Sequence, residues 1–202
     1  MQSLLRSTLD QGMTYRQYRD LLTELLAEGK TTGPNQADNY LEAARLNQHR
    51  MDRLDRKARF SPAMETLLAS LDKPYLLLAL TEGWCGDAAQ LLPLINHLAE
   101  ATDQLSLQLV LRDENLELMD HFLTDGGRGI PKVLVLDPES LEVLADWGPR
   151  PEPAQALAMD YKYQREPKMD YDTYNKALHT WYARDKTQTA QEELVALFAG
   201  LS

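Results

Sequence analysis

Apolar residues recur every three or four positions near the start of the chain, the spacing that gives a helix one buried face. Tyr15, Tyr18, Leu21, Leu22, Leu25 and Leu26 predict a helix beginning at Thr14, with Gly29 just past its end. Thr31-Thr32-Gly33-Pro34-Asn35 breaks the pattern. A longer helix is predicted from about Gln36 to Ala58. Its seam is Tyr40, Ala44, Asn47, Met51, Leu54 and Ala58, in alternating steps of four and three, with a polar Asn47 in the middle. The pattern reads as a helical hairpin within the chain, with packing on a partner's helix as the alternative.

Ser61-Pro62 is a helix start, Ser as N-cap and Pro at the first helical position, and that helix runs to about Leu71. The period then changes. Tyr75 to Leu80 is a continuous apolar run, the pattern of a fully buried strand, followed by a turn and a helix from about Gly86 to Thr102. Leu105 to Leu111 predicts a strand and Asn115 to Thr124 a helix. Lys132 to Leu136 and Leu141 to Trp147 predict two strands separated by Asp137-Pro138-Glu139, a hairpin. The order α-β-α-β-α-β-β places this part of the chain in the α/β class.

Trp147-Gly148-Pro149-Arg150-Pro151-Glu152-Pro153 marks a change of regime. Helices are predicted beyond it at about 153–164, 171–184 and 188–201. They carry Tyr161, Tyr163, Tyr171, Tyr174, Trp181, Tyr182 and Phe198, an aromatic set at helical spacing that reads first as packing surface and second as a pocket wall. The resulting domain plan is a helical extension over 1–60, an α/β domain over 61–148 and a second helical extension over 149–202 packed on it.

Composition narrows the class. The longest apolar run is far short of a membrane span, and the N-terminus lacks a cationic stretch leading into an apolar one. Cys85 is the sole cysteine, which excludes an intrachain disulfide and a multi-cysteine metal site. The expectation is a soluble, cytoplasmic protein with no membrane partner. Net charge is −10, and it is concentrated: residues 61–148 hold 4 basic and 15 acidic side chains, while 1–60 hold 10 and 8. An acidic body repels phosphate backbones, so nucleic acid is not an expected partner. The stretch from Arg45 to Arg59 is locally basic, which reads as a solvated helix face.

Chemistry concentrates at Thr81-Glu82-Gly83-Trp84-Cys85-Gly86-Asp87-Ala88, just after the buried strand and at the start of a helix. A thiol there faces free backbone N–H groups and the positive end of the helix dipole, both of which favour thiolate. Pro93 follows within that helix, and Gly129-Ile130-Pro131 immediately precedes a strand.

Trp84-Cys85-Gly86, Pro93 and Arg128-Gly129-Ile130-Pro131 before a hairpin resemble the thioredoxin family in order and spacing. The resemblance covers about 61–147 and is greatest to single-cysteine bacterial members. It implies a thioredoxin-like fold, a central mixed sheet flanked by helices, with the two helical extensions outside the common core. It also implies a cis Pro131 beside Cys85 and a site formed by Trp84, Cys85, Gly86, Asp87, Ala88, Arg128 and Pro131. No resident cofactor or metal is implied.

The departures bear on function. The family motif is Trp-Cys-Gly-Pro-Cys, and here Ala88 replaces the second cysteine, so a mixed disulfide at Cys85 has no resolving thiol in the chain. Ala79 stands where the family has a buried acid. Asp87 replaces the motif proline, and its carboxylate opposes a thiolate, as does Glu82, while Arg128 is placed to offset them. One function class is monothiol thiol–disulfide exchange on a protein disulfide or glutathione mixed disulfide, with glutathione as external thiol. The other is a redox-inactive interaction module whose groove around Trp84 and Pro131 holds an extended peptide. A Cys85 disulfide between two copies, a homodimer, is a third reading. Cys85 is expected to be at least partly accessible, and alkylated by iodoacetamide in the native protein, because it sits on a strand-to-helix turn rather than inside a helix stripe. His49, His97, His121 and His179 have no ligand spacing, and Gly126-Gly127-Arg128-Gly129 precedes a strand and lacks the lysine of a phosphate loop.

Overall fold

A computed structural model describes residues 1–163 and 169–201. Helices α1 (Gln2–Leu9), α2 (Tyr15–Ala27), α3 (Asp38–Lys57) and α4 (Pro62–Ser70) precede strand β1 (Tyr75–Thr81). Then come α5 (Gly86–Glu100), β2 (Leu105–Leu111), α6 (Leu116–Asp120), β3 (Lys132–Leu136) and β4 (Val143–Trp147). Helices α7 (Glu152–Tyr163), α8 (Tyr171–Asp185) and α9 (Gln188–Ala199) complete the described chain.

The sheet order is β2-β1-β3-β4, with β1 parallel to β2 and antiparallel to β3, and β3 antiparallel to β4. Every residue of β1 is buried, as its unbroken apolar run requires of a central strand. Each leucine fully withdrawn from water there is worth about 1.5–3 kcal/mol. The β2 edge is covered by the chain's own start: Met13 exchanges two backbone hydrogen bonds of 2.8 Å with Leu109. This is the expected α/β architecture, a mixed sheet flanked by helices, with helical extensions at both ends.

Three elements depart from the sequence expectation. Helix α1 was not predicted, because two turns with Leu4, Leu5 and Leu9 give too short a pattern, although Leu5 is fully buried. Helix α6 stops at Asp120 instead of Thr124, since Thr124 and Gly127 hydrogen-bond to each other in a turn. The hairpin reading of α2 and α3 is only part of the packing. Arg19 of α2 pairs with Asp52 and Asp55 of α3, yet α3 packs more extensively on α5. The predicted helix 153–164 is described only to Tyr163; Gln164 lies outside the described residues.

The second extension is tied down by specific bonds. Gln191 of α9 accepts from the Ser61 backbone N–H at 2.7 Å and donates to the Arg59 carbonyl. Glu193 takes the Trp147 indole N–H at 2.8 Å and the Glu152 backbone N–H at 2.6 Å. Phe198 meets Tyr75 edge to face at 5.4 Å, so α9 reaches the first residue of the central strand.

Candidate functional site

The turn from β1 into α5 is held in place from the N-terminal extension. The Gly83 N–H donates to Thr32 Oγ1 at 2.8 Å, and Asn47 Nδ2 donates to the Gly83 carbonyl at 3.0 Å. The polar residue in the α3 seam thus satisfies a buried loop carbonyl. Glu82 is buried; one oxygen accepts the Asp113 backbone N–H at 2.8 Å, and burial raises its pKa.

Cys85 is the N-cap of α5, and its Sγ accepts the Ala88 backbone N–H at 3.4 Å. The thiol in turn donates to the Ile130 carbonyl at 3.2 Å. The Ile130–Pro131 bond is cis, and Pro131 is buried. Cys85 and the Ile130-Pro131 turn are therefore together, with Trp84, Gly86, Asp87 and Ala88 around the helix start.

The expectation of a partly accessible thiol is not met. Cys85 is only 7% exposed, because α8 lies over the start of α5. Gly86 shows how closely. A Cβ at that position would come 3.0 Å from the His179 ring of α8, so that ring would have to give by a few tenths of an ångström. Burial first, and the Asp87 carboxylate second, push the Cys85 thiol up to about 12. The Ala88 N–H and Arg150 act in the other direction without overcoming them.

Asp87 is itself buried, 5% exposed, and takes a 2.7 Å hydrogen bond from the Tyr182 hydroxyl and a 2.7 Å ion pair from Arg150. Burial raises its pKa; Arg150, Tyr182 and Arg50 pull it back. Tyr182 is raised well above the usual phenol range, by burial and then by Asp87. His179, half-buried and facing the Arg50 charge, is lowered to about 4.

Arg128 does not play the part expected of it. It is exposed and paired with Asp120 at 2.6 and 2.8 Å, and the cation that acts on Cys85 is Arg150. Sequence reasoning missed Arg150, Tyr182, His179 and Arg50. One signal pointed to them: a carboxylate at a helix start beside a buried strand requires cations and donors from elsewhere.

These groups border an open cleft of about 290 Å³, with Trp84 and Arg112 on one wall, Ile130 on the floor, and Tyr171, Tyr174 and His179 on the other wall. The tail aromatics are thus core and cleft wall at once. The Arg112 guanidinium lies 5.2 Å over the Trp84 ring, and Tyr40 meets Trp84 edge to face at 5.1 Å. Arg112, Arg128 and Arg150 are each paired, with Asp113, Asp120 and Asp87, so the cleft is close to neutral. Among the described residues no three His, Cys, Asp or Glu side chains group to hold a metal ion, and no helix is long and apolar enough to cross a membrane.

No curated protein matches the chain in sequence. Two solved structures resemble it in fold. One is a protein of unknown function from Pseudomonas aeruginosa, at a TM-score of 0.57 and 19% identity, covering 94% of this chain and 99% of that one. The other is an HIV epitope scaffold, at a TM-score of 0.54 and 18% identity, covering 93% and 99%. At these identities the likeness is one of fold alone. The sequence profile described as thioredoxin matches residues 33–164, most of the chain and all of its sheet, and the chain belongs to that family.

Proposed function

We propose that this thioredoxin-family chain is a redox-inactive interaction module, its cleft between Trp84, Ile130 and Tyr171 taking an extended segment of another protein. The observation that carries the reading is the state of Cys85. Its thiol is covered by α8, donates to the Ile130 carbonyl and ionises only near pH 12, so at neutral pH it acts as a hydrogen-bonding cap rather than a nucleophile. Ala88 offers no resolving thiol, and Ala79 no buried acid. The cleft, by contrast, is furnished for contact: an indole braced by Arg112 and Tyr40, with the exposed Tyr171 opposite.

Two measurements test this. Reduction of insulin and of a glutathione mixed disulfide is expected at the same background rate for the protein and for Cys85→Ser. Turnover that depends on Cys85 would return the site to monothiol exchange with glutathione as external thiol. Peptides selected from a random library are expected to lose binding with Trp84→Ala and keep it with Cys85→Ser. Selected peptides insensitive to Trp84→Ala would refute the cleft as the contact surface.

A further inference from the structure

A second cavity, of about 460 Å³, lies where the end of α3, the segment leading into α4 and the α8–α9 corner meet, and shares Tyr182 with the surroundings of Asp87. Its charged lining residues are Arg53, Lys57, Arg59 and Lys186, and no carboxylate lines it. That is an unusual wall for a chain of net charge −10. The nearest acids are engaged elsewhere: Asp52 and Asp55 pair with Arg19, and Asp185 accepts from the Thr189 backbone N–H and hydroxyl.

Helix ends account for part of this set. Lys57 closes α3, Lys186 is the C-cap of α8, and Arg59 donates to the Ala58 carbonyl at 2.7 Å, all suited to the negative ends of helix dipoles. They do not account for Arg53, a full turn before the end of α3. Nor do they explain why the start of α9, the positive end of a dipole, meets the same space through Thr187 and Gln188. Four exposed cations and a helix N-terminus around one cavity give it a positive potential that favours an anion.

We infer that this cavity binds a small organic phosphate carrying two or more negative charges. Its size falls in the range of small-molecule sites, about 300–1,000 Å³. Arg53 and Arg59 offer forked donors to phosphate oxygens, and Lys57 and Lys186 offer point charges. Leu54 and Ala183 give an apolar wall for the organic part. The concave shape suits a compact ligand better than a nucleic-acid backbone, which the acidic remainder of the surface repels.

The test is calorimetric titration of the full chain with inorganic pyrophosphate and with ATP, at about 50 mM salt, where screening is weak. Saturable binding at one site is expected, weakening as salt is raised. The double change Arg53→Ser, Lys57→Ser should weaken it by about tenfold or more, two charge-assisted contacts being lost. Lys186→Ser, on the opposite wall, should weaken it independently. All three side chains are exposed, so the fold does not depend on them. Arg6→Ser, Arg45→Ser removes the same charge from residues outside the cavity lining and should leave binding within about twofold of the parent. Three results would overturn the inference. One is no saturable binding up to about 5 mM of either probe, a limit well above useful affinity, which would leave the cations as helix-end charges only. Another is equal loss in the Arg6, Arg45 control. The third is a short single-stranded oligonucleotide that binds more tightly than ATP through the same residues, which would make the surface a nucleic-acid contact.

Discussion

The buried thiol makes a quantitative demand on alkylation kinetics. Iodoacetamide reacts with thiolate, so its rate follows the ionised fraction. With Cys85 raised from 9.0 to about 12, the thiolate fraction at pH 8 falls about a thousandfold below that of an ordinary cysteine. The 7% exposure of the residue slows attack further. Measured by mass spectrometry under excess reagent, the native protein should be modified at least about a thousandfold more slowly than in urea. Its rate should still climb about tenfold per pH unit at pH 10, with no plateau. Asp87→Asn separates the two causes. It removes the carboxylate beside Sγ and frees the Arg150 charge, while the amide oxygen can still accept from Tyr182. Its rate at pH 8 should rise by about tenfold, the scale of one neighbouring charge, and stay well below the unfolded rate because α8 still covers the site. A wild-type profile that levels off below pH 9 would refute the account of the site. So would an Asp87→Asn rate equal to the parent's.

Other consequences can be measured directly. Arg150→Met leaves the buried Asp87 carboxylate with the Tyr182 hydroxyl but without its balancing cation, and should destabilise the protein by about 1–3 kcal/mol in urea unfolding. Burial already raises Asp87, so the loss should deepen as pH rises from 5 to 8, and Asp87→Asn in the same chain should recover most of it. His179, lowered to about 4, makes the folded state bind fewer protons than the unfolded one between that value and 6.5. Stability should fall as pH drops through this window, and His179→Gln should flatten that part of the urea-midpoint profile. Ala88→Cys places a thiol in the first turn of α5, where the Ala88 N–H already meets Sγ at 3.4 Å. On oxidation with a small disulfide reagent it should form a disulfide with Cys85 by thiol titration, without gaining insulin reduction, because both sulfurs lie beneath α8; two free thiols after oxidation would refute the helix-start geometry.

Much of the fold was legible because its signals are local. Thr14 and Ser61 accept from the backbone N–H groups of Gln17 and Met64, as N-caps placed by sequence should. The unbroken apolar run of β1 required burial on both faces, and β3 and β4 form the expected hairpin, although β4 starts at Val143 instead of Leu141, whose positive φ keeps it in the turn. Position in the chain also indicated that Cys85 would start a helix, and the resemblance to the thioredoxin family implied that Pro131 would lie beside it. What sequence could not supply was the cover. Whether a thiol on a strand-to-helix turn is open or shut depends on α8, almost a hundred residues later in the chain, and no periodicity records which helix settles on which turn. The same gap produced the error over Arg128. It lies next to the Ile130-Pro131 turn in sequence, yet its guanidinium turns outward to Asp120, while Arg150 comes in from the proline-rich joint.

Asp87 explains why the second helical extension is needed at the site. A proline at the second position of a helix removes an N–H that lacks a partner anyway, and it brings no charge. An aspartate there is also favourable to the helix dipole, but in this fold the position points into the interior between α5 and whatever covers it. A carboxylate shut away from water must be hydrogen-bonded and balanced. Both requirements are met from residues beyond 148: Arg150 supplies the charge and Tyr182 the hydroxyl, while Arg50 on α3 adds a more distant cation. Helix α8 supplies Tyr182 by lying across the start of α5, and lying there it also covers most of Cys85, which is left at the edge of the cleft. The carboxylate that anchors the cover raises the thiol pKa as well. Replacing the motif proline by aspartate thus covers the cysteine and disfavours its ionisation through one buried group, and the cysteine is left as a cap between the Ala88 N–H and the Ile130 carbonyl.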